Sequence, residues 1–383
     1  MVKILKEKIV HLVLNDFVND SRIIKECEVA VALGFEVHVF AIKTDTTLSN
    51  EILNGVNIHR INLRTKKLSK KRIIQLIKYL EFYWKIKREV SKLSDLKIIH
   101  VNDLGPLPIA KAIKRNNNNI KILYDAHEHE TEANGVSGFR KKITKFMEAR
   151  YIKHADQVIT VSNSIAEDYK KLYSIEKPKV ILNAPKYRED TSVKPNLLRR
   201  KFNLNSNDFI YIYQGALTSG RGIDMILKAF QNIDNNSHVI FMGNGTKSKD
   251  IIKYSKNYPN IHYLEAVPQK ELLNYTMSAD IGLCIIEPIC KSYEMCLPNK
   301  FFEYNMANIP VIINKLIEIE PIIEKYNSGY IINSTNELQE LICTLDKNEY
   351  LQKKINTKLV SETYNWEKQA KQLSSIYTAL STS

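Results

Sequence analysis

The sequence predicts an α/β protein of two domains, each a parallel sheet wrapped by helices on both faces. Three observations carry that reading. A chain of 383 residues exceeds what one hydrophobic core usually organises. Short apolar runs alternate with amphipathic helical stretches in both halves, which is the pattern of strand–helix–strand units. The alternation pauses once, at about 186–195, where the chain turns polar and charged between Pro185 and Pro195.

Taken in order, 8–14 reads as a strand, 21–33 as a helix ended by Gly34, 36–41 as a second strand and 56–61 as a third. Strands at 96–101 and 120–124 enclose a helix at about 108–114, and a strand at 158–161 leads into a helix after Ser162 or Ser164. Beyond the pause come a strand at 209–214, a helix at 222–230, and strands at 238–242, 261–263, 280–286 and 310–313. The expected division is a first domain over 1–185, a linker and lead-in over 186–207, a second domain over 208–360 and a last helix over 361–383.

Composition narrows the class. The hydrophobic fraction of 44% and charged fraction of 26% are those of an ordinary globular protein. Cys27, Cys284, Cys290, Cys296 and Cys343 are scattered, odd in number and form no CxxC pair. They predict a reducing compartment with neither a disulfide framework nor a structural zinc site. The N-terminal apolar stretches are too short for a signal peptide, and no run of about 18 apolar residues occurs. The expected location is cytoplasmic.

The net charge of +14 is concentrated. Between Arg64 and Lys92 eleven Lys and Arg face two Glu, a net of +9. Ile73, Ile77, Leu80 and Trp84 recur there near helical spacing, with Tyr79, Phe82 and Tyr83 between them. A basic amphipathic helix with interleaved aromatics suits an anionic membrane surface or a phosphate-bearing lipid; the alternative is a core-packing helix with a solvated basic back. A second basic patch follows at Arg140, Lys141, Lys142, Lys145, Arg150 and Lys153. No helix-turn-helix, zinc-finger or RNA-binding aromatic motif accompanies the charge, so nucleic acid is not the expected partner.

Ligands of open parallel sheets bind beyond the carboxyl ends of the strands, so the residues just after each strand are the informative ones. After the strand ending at Gln214 comes Gly215-Ala-Leu-Thr-Ser-Gly220-Arg221-Gly222, then a helix. Glycines allow close backbone approach, the helix start offers N–H groups and a positive dipole end, and Arg221 adds a fixed charge. Together these describe a pyrophosphate cradle. The strand ending at Met242 runs into Gly243-Asn-Gly245, a second tight turn at the same sheet edge. Neither loop has dinucleotide-fold or P-loop spacing. Further on, Leu297-Pro-Asn299-Lys300-Phe-Phe-Glu303 opens a helix whose first turn carries a cation and a carboxylate on one side. A carboxylate accepting two ribose hydroxyls beside a phosphate-binding cation is chemically coherent.

These segments, in this order, resemble the retaining GT-B glycosyltransferases of family 4. Asp20-Ser-Arg22 with Gly34-Phe-Glu-Val37 is similar to the family's first strand–helix–strand unit, and Asn54 to Ile58 to its "dGv.v" segment. Tyr124-Asp-Ala-His127-Glu128 is similar to "yDaHE", and Val161 to Ser164 to the end of a first-domain strand. Gly215 to Gly222 resembles the phosphate loop, Asn299 to Pro310 the "NKlfEymaaGlPV" segment, and Tyr364 to Glu367 the start of the last helix. The sequence departs from the family at Ala216, where an arginine is common, at Met295, where the first carboxylate of an E-x7-E pair would stand with Glu294 one place off, and at Asn308, where glycine is usual. Arg221 takes the place of a common lysine.

The resemblance implies two Rossmann-like domains facing each other across a cleft, with the C-terminal helix crossing back to the first. It implies sugar transfer from a nucleotide-diphosphate donor, a UDP-sugar by preference, with retention of anomeric configuration. No protein nucleophile is implied; the leaving diphosphate helps to deprotonate the acceptor on the same face. Arg221 and Lys300 would hold the diphosphate, Glu303 the ribose, and Gly215, Gly243, Leu297 and Asn299 would line the donor site. His127 would face the donor sugar, its alternative being a histidine hydrogen-bonded within its own loop. Asp20 and Glu128 are acceptor-side candidates, although Glu128, Glu130 and Glu132 also read as a solvated loop. Neither metal nor cofactor is expected. The expected partners are a nucleotide sugar, a glycan or lipid-linked acceptor of bacterial surface polysaccharide or glycoconjugate synthesis, and the inner membrane face through 64–92. A sugar-nucleotide epimerase of the same architecture and a non-catalytic binding protein on a degenerate scaffold are the competing readings.

Overall fold

The computed structural model describes residues 6–18, 20–69, 71–189, 194–234 and 236–383. The chain divides into two compact units, one of Met1–Ile181 with Gln369–Ser383, the other of Leu182–Lys368. The segment 186–207, expected as linker, therefore lies within the second unit; its residues 190–193 are outside those described. What packs it there is charge. Lys194 and Arg199 both meet the buried carboxylate of Asp280, Arg199 at 2.9 Å.

The first unit holds strands β1 (Lys8–Leu12), β2 (Glu36–Ile42), β3 (Asn50–Leu53), β4 (Val56–Ile61), β5 (Leu96–Asn102), β6 (Lys121–Ala126), β7 (Gln157–Thr160) and β8 (Lys179–Val180). They form one sheet in the order β3-β4-β2-β1-β5-β6-β7-β8. All pairings are parallel except β3 with β4. That hairpin departs from the wholly parallel expectation. Asn54 at φ 50° and Gly55 at φ 81° supply the left-handed pair that a two-residue antiparallel turn needs.

Helices α1 (Ser21–Ala32), α2 (Arg72–Val90), α3 (Leu107–Lys114), α4 (Gly138–Tyr151) and α5 (Asn163–Tyr173) cover this sheet. In α2 the buried side is Phe82, Ile86 and Val90, whereas Leu76, Ile77, Leu80 and Trp84 face outward. The stripe seen in the sequence is thus not the one that packs on the core; the side chain of Ile73 is outside those described. Both stripes are apolar, so periodicity alone does not choose between them.

The second unit holds β9 (Phe209–Gln214), β10 (Ser237–Met242), β11 (Ile261–Leu264), β12 (Ile281–Cys284), β13 (Val311–Asn314) and β14 (Gly329–Ile332). The order is β11-β10-β9-β12-β13-β14 and every pairing is parallel. Its helices are α6 (Leu197–Phe202), α7 (Ile223–Gln231), α8 (Ser248–Asn257), α9 (Gln269–Met277), α10 (Lys291–Glu294), α11 (Asn299–Met306), α12 (Glu320–Tyr326), α13 (Thr335–Thr344) and α14 (Lys347–Thr363). A last helix, α15 (Trp366–Thr382), starts in the second unit and belongs to the first from Gln369 onward. Tyr211, Tyr213, Phe230, Phe241, Leu283 and Ile312 anchor the second core.

In each sheet the strand order reverses once, between β1 and β5 in the first and between β9 and β12 in the second. Such reversals open a crevice at the carboxyl ends of the strands. No helix among the described residues is long and apolar enough to cross a membrane.

Candidate functional site

In the second unit the crevice is walled by the loops after β9, β10 and β12. Gly215 follows β9 at φ 116°, and a side chain there would meet nothing within 4 Å, so the loop backbone faces open space. Gly243 and Gly245 have another task. A Cβ on Gly243 would stand 1.9 Å from the Gly215 carbonyl oxygen, and one on Gly245 2.2 Å from that of Leu217. These two glycines let the loops lie against each other, tied by Leu217 N–H to the Asn244 carbonyl and Lys247 N–H to the Leu217 carbonyl. Gly222, at φ 69°, caps α7 and presses on Ile285. At the start of α7 Gly222 and Ile223 are buried, with Arg221 half-buried just before them.

Two cations project here with no hydrogen-bond partner among the described residues for Lys300 Nζ or Arg221 Nε. Lys300, in the first turn of α11, is 8% exposed, and its Nζ has no hydrogen-bond partner among the described residues. It lies 3.7 Å from the centre of the Tyr213 ring. Arg221, two residues before α7, carries a buried Nε likewise without a partner, its guanidinium 4.4 Å from the centre of the Tyr293 ring. Aromatic faces attract a cation but do not neutralise it. Both charges converge on the end of β12. Burial pushes the Cys284 thiol up to about 11, with Lys300 and Arg221 opposing that rise and Glu303 adding to it.

Glu303 is one turn along from Lys300. Its Oε2 accepts a 2.5 Å hydrogen bond from the Gln214 side-chain amide, whose own oxygen accepts one from the Thr276 hydroxyl at 2.6 Å. Beneath them the buried Tyr304 ties β9 to β12, its hydroxyl bridging the Gln214 N–H and the carbonyls of Ile212 and Leu283. A Cβ at Gly282 would strike the Tyr304 ring at 2.3 Å, which accounts for that glycine. Asn299 opens α11 and is exposed; Leu297 is half-buried just before it. Met295 follows α10, and Glu294 beside it is exposed. Tyr213, Tyr293, Gln214 and Thr276 were not foreseen. Only Gln214, a polar residue closing an apolar strand, carries a signal in the sequence.

The first unit gathers its own polar cluster at the end of β6. Arg22 of α1 grips Asp125 with two bonds, Nε to Oδ2 at 2.7 Å and Nη2 to Oδ1 at 2.9 Å. Asp125 in turn holds His127, Nε2 to Oδ2 at 3.1 Å, while His127 Nδ1 lies 3.4 Å from Asp103. Burial alone would lower the imidazole pKa; the carboxylates of Asp125 and Asp103 outweigh it and raise it to about 10. His127 is therefore a fixed imidazolium at neutral pH, hydrogen-bonded close to its own loop as well as lying at a strand's carboxyl end.

Asp20 caps α1, its Oδ1 accepting the Ile23 N–H at 3.3 Å, and it also bonds Asn15. Glu128 is exposed. Glu130 and Glu132 are not solvated as the loop reading expected. Burial, then Asp103, raises Glu130 to about 8 while its Oε1 accepts the Leu104 N–H, and Glu132 pairs with Lys141 at 2.5 Å. Among the described residues two groups have metal-ligand chemistry, His11 with Glu26 and His100, all buried, and Glu26 with Asp125 and the half-buried His127, each with ligand atoms within 4.8 Å. In the second group Arg22 already supplies the cation. In the first, burial lowers His11 to about 3 and His100 well below its usual range, and the Tyr377 hydroxyl bonds His100 Nδ1 at 2.8 Å.

Comparison with known proteins places these units. Residues 23–184 match the profile of glycosyltransferase family 4, and residues 226–373 that of the glucosyltransferase 3-like C-terminal domain. Sucrose-phosphate synthase from Thermosynechococcus elongatus is similar at 16% identity and a TM-score of 0.78, covering 98% of this chain and 99% of that one. Anabaena HepE, solved with UDP and glucose, is similar at 13% identity and 0.74, covering 97% and 100%. WaaG, a glycosyltransferase of lipopolysaccharide biosynthesis, is similar at 13% and 0.70, covering 96% and 99%. No curated protein matches the sequence significantly. The class of fold is thereby defined: the chain has the GT-B fold of these glycosyltransferases. Its first unit carries the domain of glycosyltransferase family 4, and its second the glucosyltransferase 3-like C-terminal domain.

Proposed function

We propose that the chain transfers a sugar from a UDP-sugar to a glycan or lipid-linked acceptor with retention of anomeric configuration, in bacterial surface polysaccharide or glycoconjugate synthesis. The observation that carries this is the pair of partly or wholly buried cations, Arg221 and Lys300, held on aromatic faces with buried nitrogens that lack hydrogen-bond partners among the described residues. A buried, unmatched positive charge is costly unless an anion arrives to meet it. The diphosphate of a nucleotide sugar is such an anion, and HepE was solved with UDP-glucose. The α7 start and Gly215 backbone complete the phosphate contacts, Glu303 accepts the ribose hydroxyls, and Leu297 and Asn299 line the donor.

In the reaction the bond between the anomeric carbon and the diphosphate oxygen breaks, and a bond to the acceptor oxygen forms on the same face. The acceptor proton passes to an oxygen of the departing diphosphate. Arg221 and Lys300 stabilise the charge that develops there. His127 contributes a fixed positive donor to the sugar, and Asp20 and Glu128 remain acceptor-side proposals. No metal or cofactor is part of this scheme. Contact of 64–92 with the inner face of an anionic membrane belongs to the same reading, since the outward stripe of α2 is apolar and its surroundings basic.

The test is thermal denaturation against UDP, GDP, ADP and CMP and their sugars. Saturable stabilisation by UDP and a UDP-sugar supports the donor assignment. The absence of a shift with every nucleotide, from a cooperatively folding sample, would leave a degenerate scaffold as the better account. Epimer formation without transfer would make the protein an isomerase.

A further inference from the structure

Helix α4 carries an outward face that the sugar-transfer site does not use. Phe139, Ile143 and Phe146, spaced i, i+4, i+7, are 73%, 44% and 69% exposed. Between them stand Arg140, Lys142 and Lys145, all exposed, with Arg150 continuing the row. The acidic residue of the helix points the other way: Glu148 is buried and accepts hydrogen bonds from Tyr124, Tyr169 and Tyr173. The outward face is therefore apolar and cationic at once. The surroundings reinforce it. Burial, then Lys111, Arg150 and Lys114, makes His154 harder to protonate, as a positive local field requires.

Neither half of this pattern suffices by itself. Basic residues around an aliphatic seam suit many acidic partners, and a lone exposed phenylalanine needs no explanation. Two phenylalanines exposed on one helix, ringed by cations, ask for a partner that is apolar beneath and anionic above. A nucleic acid duplex, or an acidic protein surface without an apolar patch, would meet the charges and leave both rings in water. A bilayer of anionic lipid meets both.

We infer that α4 is a membrane anchor in its own right, with Phe139, Ile143 and Phe146 seated in the acyl boundary of an anionic leaflet and Arg140, Lys142, Lys145 and Arg150 at its phosphates. This goes beyond the contact assigned to 64–92. Helices α2 and α4 both pack against α3, Lys111 of α3 lying 5.5 Å from the Tyr151 ring of α4. The right-handed crossovers that carry β4 to β5, β5 to β6 and β6 to β7 place all three helices on one face of the sheet. The surface offered to lipid is thus shared by two helices, one supplying most of the charge and the other the deeper aromatic pair. Each cation near an anionic surface favours binding about fivefold, and each phenylalanine withdrawn from water about tenfold.

The experiment uses the full chain in flotation with phosphatidylglycerol–phosphatidylcholine vesicles, against phosphatidylcholine alone, with UDP-induced thermal stabilisation read on every variant. Wild-type protein should float with the anionic vesicles only, and added salt should weaken but not abolish that binding. The combined Phe139→Ser and Phe146→Ser variant should bind at least about tenfold more weakly while its response to UDP is unchanged. A Phe146→Trp variant gives a second reading: its added tryptophan emission should shift to the blue and be quenched by brominated lipid. Equal flotation of the double variant, or a tryptophan at 146 that lipid does not quench, overturns the inference. So does tighter binding of the wild type to DNA than to anionic vesicles. The UDP response separates these results from a failure of the donor assignment.

Discussion

Replacing Lys300 by methionine should move stability in opposite directions with and without nucleotide. The side chain is 8% exposed and its Nζ lacks a hydrogen-bond partner among the described residues. An unmet buried donor costs about 1–3 kcal/mol, and the Tyr213 face 3.7 Å away returns about 0.5–2 kcal/mol. Methionine has similar length, no charge and a sulfur suited to an aromatic face. Lys300→Met should therefore stabilise the nucleotide-free protein by about 1 kcal/mol, roughly 2–4 °C for a unit of this size. The same change removes a charge-assisted bond to phosphate worth about 1.5–3 kcal/mol, so UDP should bind roughly 10- to 150-fold more weakly. At UDP about 100 times the wild-type Kd, linkage stabilises the wild type by about 2.7 kcal/mol. With a hundredfold weaker site it stabilises the variant by only about 0.4 kcal/mol. Scanning calorimetry with and without UDP reads both arms. A large fall in the nucleotide-free midpoint would mean that the lysine supports the fold, and an unchanged UDP response would mean that it does not meet the phosphates.

Glu303→Gln keeps the bond from Gln214 but weakens acceptance of ribose hydroxyls; 2′-deoxy-UDP should bind the wild type about tenfold more weakly than UDP and the variant about equally, by titration calorimetry. Gly243→Ala forces a Cβ against the Gly215 carbonyl at a φ of 153° and should cost about 2–3 kcal/mol, visible as an earlier urea midpoint. The pKa of His127 is raised from its ordinary 6.5 to about 10, so the stability it contributes is complete below 6.5 and is lost as pH climbs through 10. Denaturant midpoints should decline across that window in the wild type, and His127→Gln should flatten the decline.

Much of this fold was legible because buried parallel strands read as short β-branched runs between turn residues, as at 209–214 and 238–242. Three strands escaped: β14, a four-residue run at the edge of the second sheet, and two with weak runs. β3 contains Asn50 and Glu51 at a sheet edge, and β8 has two residues. The outward stripe of α2 was seen, but not that its opposite stripe, Phe82 with Ile86 and Val90, is the one buried. Arg221 stood out as a candidate because it follows an apolar strand and precedes a helix, and Lys300 and Glu303 because they place a cation and a carboxylate in the first turn of one helix. Tyr213 and Tyr293 did not, since an aromatic residue in an apolar run looks the same whether it fills a core or carries a cation.

The polar cluster of the first unit and the cation pair of the second treat buried charge in contrasting ways, and the contrast bears on where an anion would bind. In the first, Arg22, Asp125, His127 and Asp103 form an alternating chain in which each charge meets its opposite. An incoming phosphate would have to displace a carboxylate already bonded to arginine, so this cluster can orient a ligand but gains little by taking up its charge. At Arg221 and Lys300 of the second unit, ring faces stand where a carboxylate, such as Asp280 against Lys194 and Arg199, would otherwise be. Tyr213 and Tyr293 hold Lys300 and Arg221 in place without cancelling them, and part of the cost of burying a cation is met by the ring quadrupole. A diphosphate bound there, as proposed, would meet two cations that have no ion pair among the described residues, and burial makes each such interaction count for more. Substituting glutamate for Tyr213 would test this directly: pairing Lys300 should stabilise the nucleotide-free unit relative to Tyr213→Gln while weakening UDP further. Equal UDP affinity in the two variants would show that the rings only fill space.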